Sequence, residues 1–502
     1  MKALRIIGLD LLLPAVLGGL ATLGFAPFGY YGLTMIAVIG LVALWWNVSA
    51  RRGALRGFVF GLAHFGTGIY WTFVSTYYYG GAPLPMAIGL VCLLTVYMAC
   101  YPMLVGAFAG ATRTLPRTLW ALLFVPGAWL LGELLRSWVL TGFPWLSLGY
   151  ALIDAPVTAL APIGGVYFMG ALMMVGAGAI VLLFVGALFA RAVAVLIIAL
   201  APLGLWALPA AAHWTRPSGE AISVDVVQGN FPQQVKWDPN NFTTTLTRYR
   251  NLTERSEADL VVWPEVAIPA PADQVQRYLD FIDNLAGKRG QTVLAGVLVH
   301  PGEDKPYYNA VLALGTGHGR YYKRHLVPFG EYFPVPDFVM HWLDGINMRY
   351  SSFGFGADDQ PLISVDGVKL GLSICFEDAF GYEIAKALPQ AGILVNVTND
   401  AWFAGTTAAD QHLEIARMRA LESGRPMLRA ANTGISAIID YDGRIRRRTE
   451  QFSVANIDSH VQPRSGLTPY MRIGDWPLWL AGFLLTGLGL AAAWLLRRRA
   501  GR

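Results

Sequence analysis

Long apolar runs fill the first 212 residues of the chain and recur once near its end. Runs of about 17 to 25 apolar residues, which cross about 30 Å of hydrocarbon as a helix, mark predicted membrane spans. They lie near 9–26, 33–50, 57–79, 86–111, 118–136, 159–187, 192–211 and 477–496. The pattern predicts a polytopic α-helical membrane domain of about eight spans, most of it within 1–212, with a final helix and basic tail within 471–502.

The intervening segment, 213–470, has the composition of a water-soluble domain. Short β-rich runs alternate there with helical patterns, which predicts a layered α/β domain. Strands are predicted at 223–227, 260–263, 292–299, 368–374 and 393–397, and helices at 242–257, 272–287 and 410–423. A glycine-rich run at 315–319 lacks the Lys-Ser/Thr pair of a phosphate-binding loop, so it predicts a hairpin turn.

Composition and charge predict which side of a membrane this segment faces. The chain is 55% hydrophobic and 14% charged, which is too apolar for an ordinary globular protein. The loops at 27–32, 80–85 and 137–158 lack Lys and Arg, whereas the alternate connections and the tail carry Arg51, Arg52, Arg56, Arg113, Arg117, Arg191, Arg497, Arg498, Arg499 and Arg502. The excess of cytoplasmic positive charge therefore predicts a multi-pass bacterial inner-membrane protein with both termini cytoplasmic and 213–470 periplasmic. Solvated arginines explain most of the +5 net charge, so no nucleic-acid partner is predicted.

Cys375 is an unpaired thiol on the predicted periplasmic side. The other two cysteines, Cys92 and Cys100, lie within the fourth apolar run. An unpaired thiol in an oxidising compartment is either an inert buried residue or a nucleophile. Cys375 follows the predicted strand 368–374, and open α/β sheets carry their reactive groups at such carboxyl ends. The carboxylates of Glu377 and Asp378 raise the pKa of a neighbouring thiol unless a cation offsets them.

Two further segments offer partners for this thiol. Glu265 follows Trp263 and Pro264 at the end of a predicted strand and is a candidate proton acceptor, although an exposed loop carboxylate is the commoner role. Lys323 is a candidate cation, but it belongs to a basic triplet with Arg324 and His325, and such triplets are usually solvated.

The order of these segments resembles the Glu-Lys-Cys arrangement of the nitrilase superfamily. The matching positions are Trp263-Pro264-Glu265, Lys323 with Glu331 eight residues on, and Cys375-Phe376-Glu377. Together with the apolar runs, Lys236-Trp237, Gly142-Phe143-Pro144-Trp145 and Gly474-Asp475-Trp476-Pro477 resemble the apolipoprotein N-acyltransferase family over nearly the whole chain. The resemblance implies a nitrilase-like αββα sandwich in which Cys375 is the nucleophile, Glu265 the general base and Lys323 the partner of the oxyanion, with no metal or cofactor.

Four supporting residues follow from the same resemblance. Glu331 is expected to orient Lys323 or Glu265, with a loop salt bridge as the alternative. Trp237 is expected to line an acyl channel, with simple packing as the alternative, and Glu377 to hold hydrogen bonds around the nucleophile. Phe376 departs from a family pattern that often has tyrosine there, so a hydroxyl contribution at this position is not expected.

The implied reaction takes an acyl chain from a membrane phospholipid as a cysteine thioester and passes it to the amino group of a diacylglyceryl-cysteine apolipoprotein. The expected protein is a monomer with these two lipid-anchored substrates. A membrane-anchored amidase that passes its acyl group to water is the alternative with the same catalytic residues. A transporter or receptor is less favoured, because the spans contain few charged residues. Glu133 and Arg136, three residues apart in the fifth run, are either a functional site or a structural ion pair.

Overall fold

The computed structural model describes residues 7–207, 214–302, 305–333 and 353–500. The described chain divides into two compact units. The first unit consists of the described parts of 1–73, 83–210 and 473–502, and the second of those of 74–82 and 211–472. Residues 74–79, which the sequence places in the third span, thus group with the second unit.

The first unit is helical. Its helices are Ile7–Leu12, Leu13–Thr22, Tyr31–Trp45, Ala50–Gly68, Trp71–Val74, Leu84–Ala111, Arg117–Leu119, Trp120–Phe124, Val125–Arg136, Val139–Thr141, Tyr150–Leu152, Pro156–Leu160, Ala161–Val185, Leu188–Ala207 and Trp476–Ala500. Among the described residues, four helical segments are long and apolar enough to cross a membrane: Leu84–Ala111, Arg117–Arg136, Pro156–Val185 and Trp476–Arg499. Every predicted span coincides with a helix, but the other helices are shorter or less apolar, so the number of spans stays a prediction.

Arg56 differs from its prediction as a solvated arginine. It lies inside the helix Ala50–Gly68 and is buried. Its guanidinium binds Oδ1 of Asp10, with Nε at 2.7 Å and Nη2 at 2.6 Å, and it also donates to the carbonyl of Leu44. The prediction is wrong because Asp10, on an earlier helix, supplies the partner that a buried guanidinium requires.

The second unit contains two main sheets. Its strands are β1 (Thr215–Pro217), β2 (Ile222–Gln228), β3 (Leu260–Val262), β4 (Ile268–Pro271), β5 (Thr292–Val299), β6 (Tyr308–Gly315), β7 (Gly319–Tyr322), β8 (Ser364–Val365), β9 (Val368–Ile374), β10 (Ile393–Thr398), β11 (Met427–Ala431), β12 (Ala437–Ile439), β13 (Ile445–Arg448), β14 (Ala455–Val461) and β15 (Arg464–Gly466). One sheet has the order β14-β2-β3-β5-β6-β7, with β4 beside β5, and the other has the order β13-β12-β11-β10-β9-β8. All five predicted strands are confirmed within two residues, and the glycine-rich run forms the β6–β7 hairpin.

Helices cover the outer faces of these two sheets, while the inner faces share a core. Apolar side chains of β2, β3 and β5 form one buried cluster with those of β9, β10 and β11. The outer face of the first sheet packs on Pro239–Arg255 and Gln276–Lys288, and that of the second packs on Ala408–Ser423. The remaining short helices of this unit are Ser75–Tyr79, Gln233–Lys236, Ala272–Val275, Cys375–Ala379, Gly381–Ala385, Asp400–Phe403 and Pro469–Ile473. The αββα sandwich expected from the resemblance is confirmed.

The carboxyl ends of the central strands meet at one edge of the sandwich. In the first sheet β2 and β3 run parallel, and in the second β9, β10 and β11 run parallel. The loops after β2 and β11 are joined across the sheets, because the amide of Asn230 donates to the carbonyl of Asn432 at 2.9 Å. Within the second sheet, Nδ2 of Asn432 donates to Oδ1 of Asn399 after β10 at 3.0 Å. Residues that follow these strands are thereby brought together from distant parts of the sequence.

Candidate active site

Cys375 begins a tight turn where β9 ends. Its backbone has φ +54°, a left-handed conformation that is uncommon for a residue with a side chain and is found at functional sites. The 3₁₀ turn Cys375–Ala379 follows directly, and the amide of Ile374 donates to Oε2 of Glu377 at 2.7 Å. The thiol is partly buried. The strand-to-turn change therefore presents Cys375 at the edge where the strand ends meet.

Glu265 reaches the same edge from the other sheet. It lies three residues beyond the end of β3, and its side chain is buried, with 7% of the residue exposed. Gly296 of β5 permits this course, since a Cβ there would lie 2.2 Å from the carbonyl oxygen of Pro264. The alternative of an exposed loop carboxylate is wrong for this residue.

Lys323 lies beside Glu265 and is buried, with 1% of the residue exposed. Its Nζ is 2.8 Å from each carboxylate oxygen of Glu331 and 3.7 Å from Oε1 of Glu265. Burial disfavours the ammonium, but Glu331 and Glu265 outweigh it and raise the pKa of Lys323 well above its ordinary value. Lys323 is therefore a fixed cation rather than part of a solvated basic face.

Asn309, at the start of β6, joins the two carboxylates that flank this lysine. Its Nδ2 donates to Oε1 of Glu265 at 2.6 Å and lies 3.2 Å from Oε1 of Glu331. Its carbonyl accepts from the amide of Lys323 at 2.9 Å. No feature of the sequence singled out Asn309, because an asparagine in a strand carries no distinctive pattern.

The thiol of Cys375 responds to these charges. Burial raises the pKa of Cys375, the Glu265 carboxylate raises it further, and Lys323 acts in the opposite direction. Asp400 also raises this pKa, whereas a hydrogen bond from Thr398 lowers it. The resting thiol is therefore protonated at neutral pH, and its activation requires a proton acceptor within the site.

Lys236 is a second buried cation near Glu265. The family resemblance implies a role for its neighbour Trp237 but none for Lys236. Its Nζ donates to the backbone carbonyl of Glu265 at 3.3 Å. Burial lowers the pKa of Lys236 to about 8, against the opposing attraction of Glu265. This ammonium therefore holds the backbone that carries the carboxylate of Glu265.

The other expected residues lie in different surroundings. Glu377 is fully buried and accepts hydrogen bonds from Tyr321 Oη, Ile374 N, Arg324 N and His325 N, between 2.6 and 3.0 Å. Phe376 packs on His325 and Phe380, with ring centroids 5.6 and 5.1 Å apart. Trp237 is 49% exposed. These contacts favour a structural role for Glu377 and packing for Phe376, and leave the Trp237 side chain open to solvent.

Glu133 and Arg136, in the first unit, bind the same loop. Arg136 donates from Nη1 to the carbonyls of Phe143 and Trp145, both at 2.7 Å, and from Nη2 to Ser147 at 2.8 Å. Oε1 of Glu133 accepts from the amide of Leu148 at 2.8 Å. Both charges thus hold the loop that contains Gly142-Phe143-Pro144-Trp145, a role that the sequence did not predict.

The described residues contain no group of three or more His, Cys, Asp or Glu side chains arranged to hold a metal ion. The carboxylates of Glu265 and Glu331 contact the ammonium of Lys323 and Nδ2 of Asn309. What this arrangement offers chemically is a thiol, a buried carboxylate and a fixed ammonium at one edge of a sandwich.

Two family profiles match the chain in succession. The apolipoprotein N-acyltransferase N-terminal domain matches residues 17–179, and the carbon-nitrogen hydrolase domain matches residues 224–464. A solved structure of the C. elegans NitFhit protein is similar at 17% identity and a TM-score of 0.39, over 52% of this chain and 65% of that one.

Curated relatives match over nearly the full length. The apolipoprotein N-acyltransferase of Methylococcus capsulatus is 42% identical over 472 residues, 93% of each chain. That of Vibrio parahaemolyticus is 36% identical over 97% of each chain, and that of Photobacterium profundum is 38% identical over 98% of this chain and 96% of its own. Because these relatives are 36–42% identical over nearly the full length and both domain profiles match, the chain belongs to the apolipoprotein N-acyltransferase family.

Proposed function

We propose that this chain transfers an acyl chain from a membrane phospholipid to the N-terminal amino group of a diacylglyceryl-cysteine apolipoprotein, through a thioester on Cys375. The observation that supports it most directly is the cluster of Cys375, Glu265 and Lys323 in a chain of this family. A thiol whose pKa is raised needs a base, and the tetrahedral intermediate of acyl transfer needs a fixed positive partner. Glu265 and Lys323 are of the right type for these two roles.

The first half-reaction acylates the cysteine. Glu265 takes the thiol proton as Sγ attacks the ester carbonyl, and the C–S bond forms while negative charge collects on the former carbonyl oxygen. Lys323, which Glu331 holds by both carboxylate oxygens, stabilises that oxyanion. The C–O bond then breaks, and the lysophospholipid leaves with the proton from Glu265.

The second half-reaction consumes the thioester. The free amino group of the lipoprotein attacks the thioester carbonyl, the C–N bond forms, and Lys323 again stabilises the oxyanion. Glu265 accepts a proton from the amine and returns it to Sγ as the C–S bond breaks. The site is then restored without any metal or cofactor taking part in the scheme, and Glu377 supports it by holding the turn.

The membrane placement belongs to the same proposal. We assign seven spans to 1–212, the catalytic domain to 213–470 on the periplasmic side of the bacterial inner membrane, and the last span and cytoplasmic tail to 471–502. The protein is proposed to act as a monomer, with Trp237 lining the path of the acyl chain. Anchoring both substrates in one bilayer replaces diffusion from water by a high effective concentration.

The direct test incubates the purified protein with phospholipid and measures the intact mass. The wild type is expected to gain one acyl chain, removable by hydroxylamine, and the Cys375→Ala variant is expected to gain nothing. A wild type that forms no adduct, or an adduct that persists in the variant, contradicts the thioester mechanism. Because Cys92 and Cys100 remain in both proteins, the variant also controls for acylation of other thiols.

A diacylated lipopeptide added to the acyl-enzyme separates transfer from hydrolysis. A transferase yields a triacylated peptide, whereas the alternative membrane-anchored amidase releases free fatty acid at a rate that the peptide does not change. The ratio of the two products under a limiting amount of peptide decides between them.

A further inference from the structure

Beneath the Cys375 turn lies a buried cluster of charges that the proposed reaction does not use. It consists of His412 on the helix Ala408–Ser423, Asp378 in the turn itself, Asp400 after β10, and Arg429 on β11. All four are at most 2% exposed. Burying an isolated charge costs free energy, so four buried charges have to be paired with one another.

His412 stands between the two carboxylates. Its Nδ1 lies 2.9 Å from Oδ1 of Asp400, and its Nε2 lies 3.0 Å from Oδ1 of Asp378. Burial and Arg429 lower its pKa, but Asp378 and Asp400 prevail and raise the pKa of His412 to about 9. Both ring nitrogens therefore carry protons at neutral pH, and the ring is an imidazolium.

Arg429 closes the cluster from the neighbouring strand. Its Nη2 is 3.0 Å from Oδ2 of Asp400, and its Nη1 is 3.4 Å from Oδ2 of Asp378. The cluster thus pairs two carboxylates with two cations and is electrically neutral. If either cation were lost, a net negative charge would remain in a low-dielectric region, where charges act strongly over several ångströms.

The cluster also contacts the backbone carbonyl of Cys375. The carbonyl of Cys375 lies 3.4 Å from Nε2 of His412 and accepts from Nδ2 of Asn396 at 3.2 Å. Oδ1 of Asn396 accepts in turn from Nη1 of Arg429 at 2.8 Å. Both cations therefore reach the carbonyl of Cys375, His412 directly and Arg429 through Asn396. The residue they hold is the one whose left-handed backbone needs outside support.

We propose that His412 is a positioning residue for Cys375. The His412 imidazolium holds the strained turn by the carbonyl of Cys375 and neutralises the two carboxylates beneath the thiol. Asp378 follows Cys375 by three residues, and Asp400 is close enough to act on the thiol. The imidazolium cancels their influence without contacting substrate. Arg429 supplies the second positive charge. The inference rests on the proposed role of Cys375 as the nucleophile.

The test uses alkylation of Cys375 by iodoacetamide, which requires the thiolate but no acyl transfer. Full-length protein in detergent is alkylated at several pH values, and the Cys375 peptide is quantified by mass spectrometry apart from Cys92 and Cys100. His412→Gln keeps a donor near the carbonyl of Cys375 and removes one positive charge. We expect alkylation at pH 8 to slow by tenfold or more, with the whole pH profile displaced upward by about one unit.

The double variant His412→Gln/Asp400→Asn restores neutrality, because one positive and one negative charge are removed together. We expect its alkylation rate to return to within about threefold of the wild type. Damage to folding predicts a different result, because a loosened turn exposes the thiol and both variants would then be alkylated faster than the wild type. Equal slowing in the single and double variants would overturn the inference, as would a single variant that reacts like the wild type.

Asp400→Asn alone keeps the inference testable if the His412 variant fails to fold. It removes only negative charge near the thiol, so its pH profile should lie at or below that of the wild type, and a profile displaced upward would overturn the inference.

Glu422→Gln is the matched control, because Glu422 is a buried carboxylate on the same helix as His412 and pairs with Arg419 at 3.1 Å. Its alkylation profile should match that of the wild type. Failure of the proposed function shows itself separately, as wild-type protein that alkylates at Cys375 but never forms an acyl adduct.

Discussion

Asn309 provides the sharpest test of how the carboxylates around Lys323 are held. Replacement by leucine keeps a similar volume and removes the Nδ2 donor that lies 2.6 Å from Glu265 and 3.2 Å from Glu331. The other side-chain atom, Oδ1, has no hydrogen-bond partner among the described residues, so the change removes donor contacts only. In this variant, Oε1 of Glu265 retains the Lys323 ammonium at 3.7 Å but loses its 2.6 Å hydrogen bond.

The magnitude follows from the strength of such contacts. A hydrogen bond to a charged group contributes about 1.5–3 kcal/mol, and the shorter of the two contacts is the stronger. If about 3 kcal/mol of positioning is lost in the transition state, acylation slows by about 100-fold, since each 1.36 kcal/mol is a factor of ten. The ordinary backbone contact from Lys323 to the carbonyl of residue 309 remains, so the fold is expected to persist.

The assay follows acyl-enzyme formation by intact mass after rapid quenching, beside a thermal melt of each variant. Asn456→Leu is the matched control, because Asn456 donates to Oδ2 of Asp225 at 2.7 Å on β14, at the other edge of the same sheet. Both variants are expected to lose similar thermal stability, but only the Asn309 variant should lose the rate. An Asn309→Leu protein that is folded and acylates within threefold of the wild type would refute the reasoning, as would equal rate loss in both variants.

Two further predictions concern pH. The Lys236 ammonium supports the backbone of Glu265 and loses its proton near pH 8, so the acylation rate of the wild type should change near that pH. This inflection in the pH–rate profile should be absent in Lys236→Met. A variant that retains the wild-type inflection would contradict the role of Lys236. His412 has a folded-state pKa raised from 6.5 to about 9, so its stabilising contribution is complete below pH 6.5 and disappears as the pH rises through 9. The stability difference between wild type and His412→Gln should therefore shrink by about 3 kcal/mol between pH 6.5 and 9.5 in denaturant titrations, and a difference that grows with pH would contradict the assignment.

Much of the sandwich was readable from the chain because its strands are short, apolar and bounded by turn residues. The predicted strands 292–299 and 368–374 have the observed bounds, and 260–263 differs by one residue. Buried parallel strands have an unbroken apolar character that few other elements of that length share. The same strands mark the candidate site residues, since Cys375 directly follows one of them and Glu265 lies three residues beyond the end of another.

The membrane unit was readable in outline only. Hydropathy located a helix at each predicted span, because a run of apolar side chains has few alternatives to a helix in lipid. Its internal polar contacts were not visible. The chain pattern predicts a solvated Arg56, whereas the structure pairs its guanidinium with Asp10. Arg136 donates to the carbonyls of Phe143 and Trp145 instead of forming a simple pair with Glu133.

By itself, the sequence determined the order of the elements, the alternation of strands and helices, and the residue types able to attack, accept a proton and bear a positive charge. Only the tertiary structure decided which residues hold these groups in place. Asn309 meets Glu265 because β6 pairs with β5 in one register, with Asn309 opposite Leu298, and a slip of one residue would turn its side chain to the other face. His412 meets Cys375 across 37 positions of sequence. Such contacts depend on how sheets and helices pack, which no local pattern of residues records.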